Sequence, residues 1–105
     1  MEQSSFTSTY NQLHVELCQL IPIVDKVHGM HHPEFHDVTR IWEVLKEDVK
    51  AKNLDKIADL FNQLNKVTDN YQIPTDVCDS FKLVYNDLQQ LEIAYCQSSK
   101  MRADV

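Results

Sequence analysis

The chain has 105 residues, enough for one domain, and 43 % of them are apolar, so a hydrophobic core can form. Its formal net charge of −6 argues against a nucleic-acid partner and against docking on an anionic membrane, because both require a basic surface. The longest apolar run, residues 20–24, is too short to span a bilayer, and the polar first residues do not resemble a signal peptide. We therefore expect a cytoplasmic protein.

The first predicted helix follows an N-terminal tail, residues 1–4, and begins at residue 5. Pro22 lies inside it, so we expect the helix to be kinked or broken near that residue. Gly29 follows its last apolar residue, at the position that a left-handed C-cap favours. The apolar residues recur every three or four positions, which is typical of one buried helical stripe; they are Phe6, Tyr10, Leu13, Leu17, Leu20, Ile21, Val24 and Val27.

Two more stripes predict the second and third helices. Pro33 suits the first helical position of the second helix, and Asn53 suits the N-cap of the third. Trp42 lies within the second stripe, so we expect it in the core. The second stripe comprises Phe35, Val38, Ile41, Trp42, Leu45 and Val49, and the third comprises Leu54, Ile57, Leu60, Phe61, Leu64 and Val67.

The fourth predicted helix has Pro74 in its first turn and ends at residue 98, before a C-terminal tail, residues 99–105. Its stripe comprises Val77, Phe81, Val84, Leu88, Leu91 and Tyr95. Because the connections are short, consecutive helices must run in opposite directions. The sequence therefore predicts an all-α fold, an up-down-up-down antiparallel four-helix bundle over residues 5–98.

Four of the five histidines lie within residues 28–36, between the first two helices. In an antiparallel bundle this segment lies at the same end as Asp69, Asp76 and Cys78. Imidazole is the commonest metal ligand, and a four-residue spacing puts ligands on one helical face. The predicted metal ligands are His28, His32 and His36, with His31 and Glu34 in reserve. The alternative is a helix junction whose histidines only cap carbonyls and face solvent.

The three cysteines, an odd number without Cys-x-x-Cys spacing, predict reduced and mostly packed thiols. Cys78 at a helix start is either a reactive thiol or a small buried residue, and we favour the second interpretation. No phosphate-binding loop, catalytic triad or zincin motif is present, so nothing predicts a classical enzyme.

Residues 26–38, KVHGMHHPEFHDV, and residues 67–92, VTDNYQIPTDVCDSFKLVYNDLQQLE, resemble the hemerythrin-like domain of the iron–sulfur-cluster repair family of the Ric or ScdA type. The chain resembles the short, stand-alone members of this family more closely than the larger ones. The resemblance implies a stress-response protein that binds or handles iron, with iron–sulfur proteins or a second copy of the chain as partners. The second passage keeps the family's spacing at Asn70, Tyr71, Pro74, Cys78, Tyr85 and Leu88.

The family's larger members hold two irons through five histidines and two glutamates. Of these ligands only the histidine of the Val-His-Gly passage is kept, as His28. The other positions fall at or near Thr7, Lys52, Leu54, Lys56, Ser98 and Arg102. We therefore expect no ordinary di-iron centre, a bundle interior filled with side chains, and any iron at the histidine-rich junction. The alternative function is a metal-free helical module that binds a partner or dimerises and has no chemistry of its own.

Overall fold

The computed structural model describes the backbone of residues 5–103 and the side chains of residues 6–97. Within this range the chain forms four α helices and no β strand, which confirms the predicted all-α class. The predicted tail at residues 1–4 and the last two residues lie outside the described part. The helices are α1, Ser5–His28; α2, Glu34–Ala51; α3, Leu54–Thr68; and α4, Asp79–Ala103.

The four helices pack as two pairs, α1 with α4 and α2 with α3, and α1 also contacts α2. Most residues of the predicted apolar stripes face the space between the helices, so the interior is filled with aliphatic and aromatic side chains. Val27, predicted in the first stripe, is instead exposed, so the prediction is wrong at this residue. Trp42 is only 1 % exposed, as predicted, and its ring centroid lies 6.1 Å from that of Tyr10 on α1. No helix in the described range is long and apolar enough to cross a bilayer.

Helix α1 is continuous through Pro22, so this proline does not end the helix. Helix α4 starts at Asp79, later than predicted, and Pro74 lies in the connection before it rather than in its first turn. Residues 69–71, directly after α3, take left-handed backbone conformations with φ of 53°, 60° and 64°. This run ends α3, because it cannot continue a right-handed helix. At its other end α4 continues past residue 98, the predicted end of the bundle, to Ala103.

Gly29 directly follows α1, as predicted, but it has no positive φ, so the predicted left-handed cap is wrong. A Cβ at this position would overlap the carbonyl oxygen of Asp25 and lie 2.7 Å from Cε1 of His36. The glycine is therefore required by lack of space. Asn53 precedes α3 as predicted, but its amide donates to Oδ1 of Asp48 (3.1 Å) instead of capping α3.

Two acidic side chains are buried in the described part of the chain, Asp48 of α2 and Asp87 of α4, and Asp87 is only 3 % exposed. Burial among apolar side chains, with a smaller contribution from the hydrogen bond and the charge of Glu16 on α1, raises the pKa of Asp87 to about 7. A protonated carboxyl can donate a hydrogen bond to a carboxylate, so the neutral form of Asp87 fits this position better than the charged form.

Replacing Trp42 by alanine should lower the free energy of unfolding by about 3–5 kcal/mol, because a large, fully buried side chain leaves a cavity. Urea unfolding followed by circular dichroism measures this loss. Val44→Ala is the matched control, since Val44 lies two residues away and is 42 % exposed; it should cost about 0.5 kcal/mol or less. Equal stability of the two variants would contradict the burial of Trp42.

The buried Asp87 should make the wild-type chain less stable as the pH rises from about 4 to about 7. In this range the unfolded chain has lost the proton of Asp87, whose ordinary pKa is about 3.9, whereas the folded chain retains it. Asp87→Asn should remove that part of the decrease and be more stable than wild type at pH 8, as urea unfolding at pH 5 and pH 8 would show. Asp59→Asn, at an exposed position of α3, is the control. An unchanged pH dependence in Asp87→Asn would contradict the prediction.

Candidate functional site

The end of α1 and the start of α4 meet through a histidine and a cysteine. His28 is the last residue of α1, and its Nε2 lies 3.2 Å from Sγ of Cys78, the residue before α4. The carbonyl of Cys78 accepts the backbone N–H of Lys82 in the first turn of α4, which fixes the position of the cysteine (3.2 Å). Cys78 is exposed, so the packing role that we favoured from the sequence is wrong.

His32 lies beside this pair and contacts two carboxylates. Its Nε2 is 3.0 Å from Oδ1 of Asp76, and its Nδ1 is 3.0 Å from Oε2 of Glu34. Burial alone would lower the pKa of His32, but the hydrogen bonds to Asp76 and Glu34 outweigh burial and raise it. The hydrogen bond from His32, together with its charge, lowers the pKa of Asp76. Both ring nitrogens thus donate to carboxylates, which favours the imidazolium form.

His28, His32, Asp76 and Cys78 form what we call the donor corner. Phe81, fully buried on α4, packs beneath both imidazoles, with ring centroids 5.5 Å from that of His28 and 5.5 Å from that of His32. The two imidazole centroids are 6.4 Å apart. The corner therefore consists of two polar pairs on an apolar floor, each pair joining the α1–α2 junction to the α3–α4 connection.

His36 lies outside the donor corner, although its spacing from His32 suggested a common face. Its Nδ1 is 2.6 Å from Oδ1 of Asp25 on α1, and Thr39 donates a 2.8 Å hydrogen bond to the other oxygen of that carboxylate. The four-residue spacing does not bring these histidines together because His32 precedes α2 and His36 lies within it. His36 therefore holds α2 to α1.

The two predicted reserve ligands occupy different surroundings. His31 is exposed, and its charge contributes to the lowered pKa of Asp76. Glu34 is half-buried, where it binds His32 and lines a cleft of about 470 Å³ together with Asp69 and Tyr85. Tyr85 is a buried core residue. Burial, and secondarily the charge of Glu34, raises the pKa of Tyr85.

The donor corner holds two preset donors rather than a complete metal-binding group. Within the described residues, no three His, Cys, Asp or Glu side chains are arranged to hold a metal ion. The 3.2 Å between Nε2 of His28 and Sγ of Cys78 is nevertheless close to the separation of about 3.5 Å expected for a nitrogen and a sulfur bound to one tetrahedral metal. A third ligand would have to come from His32 or Asp76, which now contact each other.

The interior of the bundle does not fit a di-iron centre. Such a centre needs histidines and carboxylates projecting inward from several helices. The facing positions here carry apolar side chains such as Leu17, Ile21 and Ile41, all fully buried. Asp87 is the one buried acid of α4 in the described part, and it pairs with Glu16 rather than with a histidine.

Neither a protein-family model nor a solved structure matches the chain.

Replacing Asp76 by asparagine should lower the pKa of His32, because the variant loses the charge and the accepting oxygen that stabilise the imidazolium. The imidazole resonances in an NMR pH titration measure this change. The pairing stabilises the folded chain fully below about pH 6.5, the ordinary pKa of histidine, and is lost as the pH rises through the raised value.

Asp79→Asn is the matched control, because Asp79 is exposed and its closest cationic partner, Nζ of Lys82, is 3.9 Å away. It should leave the His32 titration near that of the wild type. A His32 pKa that is the same in Asp76→Asn and wild type would show that the two side chains do not pair in solution.

Proposed function

We propose that this chain is a small cytoplasmic helical protein that handles iron, of the iron–sulfur-cluster repair type, and that iron is its cargo. The donor corner is the proposed receiving site. The observation that carries the proposal is the 3.2 Å approach of His28 and Cys78, two exposed or half-exposed donors from segments 50 residues apart in the chain. The resemblance of both segments to the cluster-repair family supports iron as the ion.

The chemistry of the donors suits a metal ion that is bound and then released. Nitrogen, sulfur and carboxylate ligands accept Fe²⁺, as they do other divalent transition metals. Metal binding by His32 would require it to lose its proton and its contact with Asp76 or Glu34. This rearrangement has an energetic cost, so affinity is lower than that of a closed structural site. A weak and accessible site fits transfer to an iron–sulfur protein.

The same proposal includes the up-down-up-down order of the helices. It is supported by the short connections, residues 29–33 and 52–53, and by the contact between the end of α1 and the residue before α4. We also propose a kink at Pro22, because a proline inside a helix removes one backbone hydrogen bond and crowds the preceding turn. The kink would direct the last turn of α1, and with it His28, toward α4.

Anaerobic titration of tag-free protein with Fe²⁺, in competition with a chromogenic chelator, tests the proposal. Wild type should bind one equivalent, and His28→Ala and Cys78→Ser should each weaken binding by at least about tenfold, since each removes a preset ligand. A parallel Zn²⁺ titration shows whether the corner distinguishes iron from a common competitor.

His36→Ala and Cys96→Ser are the matched controls, because they remove an exposed histidine and an exposed cysteine that do not belong to the donor corner. Both should bind Fe²⁺ as wild type does. Equal weakening by these controls would indicate adventitious binding. A wild-type chain that does not compete for Fe²⁺ would contradict the proposal and favour the metal-free interaction module.

A further inference from the structure

Helix α1 presents a row of apolar side chains to solvent. Val15, Ile23, Val27 and Met30 are 55 %, 55 %, 62 % and 88 % exposed. Val15, Gln19, Ile23 and Val27 lie four residues apart and form one slanting row along the surface of α1, and Met30 lies just beyond the end of the helix, in the following turn. We call these five residues the α1 ridge. Every member of the ridge is exposed to solvent, whereas Leu17, Ile21 and Val24 of the same helix are buried.

Charge is distributed unequally over the exposed surface. The described exposed residues of α1 include one charged side chain, Lys26, and no acid, because Glu16 and Asp25 are half-buried against α4 and α2. On α4, every exposed residue between Lys82 and Gln97 is uncharged as well. By contrast, the exposed faces of α2 and α3 carry Asp37, Arg40, Glu43, Glu47, Lys50, Asp55, Lys56, Asp59 and Lys66.

We propose that the α1 ridge is the interface of a homodimer. The argument for a second copy is electrostatic. Two chains of net charge −6 repel one another, and the outer side of α1 is where they can approach without bringing carboxylates together. A surface that carries almost no charge also exerts little electrostatic attraction on a strongly acidic or basic partner. This inference is independent of iron binding at the donor corner.

The spacing of the ridge is compatible with twofold symmetry. In a symmetric dimer the same surface of both copies is used, so the surface must complement itself. Two antiparallel α1 helices that cross midway between Gln19 and Ile23 would place Val15 beside Val27 of the second copy, and Gln19 beside its Ile23. Rows of residues four apart are the ridges that pack between those of a neighbouring helix. The apolar residues would thus cover one another.

Light scattering coupled to size exclusion, over a hundredfold range of concentration, tests this interface. The wild-type chain should be a dimer, and Val15→Glu and Val27→Lys should each weaken dimerisation by at least about tenfold, since each buries an unpaired charge. Val44→Glu is the control, because Val44 is exposed on the charged surface of α2, and it should remain dimeric. Circular dichroism confirms that all variants stay helical.

Mixing the two charged variants is the sharper test. The antiparallel contact would set Glu at position 15 of one chain against Lys at position 27 of the other, so the mixture should form heterodimers that neither variant forms alone. Failure of the mixture to associate, although wild type dimerises, would overturn this interface. Wild type that stays monomeric over the whole range, or dissociation of Val44→Glu to the same extent, would overturn it as well.

Discussion

The turn between α1 and α2 depends on the absence of a side chain at Gly29. The carbonyl of Asp25 and the ring of His36 occupy the space that a Cβ would need. Because the backbone can come this close, the chain reverses within residues 29–33, and the backbone N–H groups of His31 and His32 both bond to the carbonyl of His28. As a result of this compact turn, His28 and His32 pack against the ring of Phe81. His36 lies elsewhere at the junction, in contact with Asp25.

A second local constraint lies in the α3–α4 connection. Three successive residues, Asp69 to Tyr71, have left-handed backbone conformations. These conformations are unfavourable for residues other than glycine, because the Cβ atom comes too close to the backbone carbonyl. The hydroxyl of Thr68 accepts the backbone N–H of Tyr71 at 2.8 Å, and Tyr71 itself is buried, so packing and hydrogen bonding hold the strained segment in place. Asp76 and Cys78 lie farther along this connection, beside His32 and His28.

Much of the fold could be predicted from the period of the apolar residues, which accounts for the four helices and the burial of Trp42. The convergence of the α1–α2 junction and the α3–α4 connection also followed from short connections. The side-chain pairs of the donor corner could not be predicted from the sequence, because a spacing of four residues implies a shared face only when both residues lie in the same helix. His36 therefore could not be separated from His32 by counting, and the exposure of Cys78 depended on the unpredicted start of α4.

The contacts that hold the donor corner together are also those that a metal ion would have to replace. His32 stabilises the junction as an imidazolium between Asp76 and Glu34, whereas a metal ligand must be a neutral imidazole. A metal ion at the proposed site would therefore compete with a proton for His32, and the two carboxylates favour the proton. The side chain of His28, by contrast, contacts the thiol of Cys78 rather than a carboxylate. An incoming metal ion would thus meet His28 and Cys78 first, and the release of a proton from His32 would follow only if the ion is bound strongly enough to draw that ring away from Asp76.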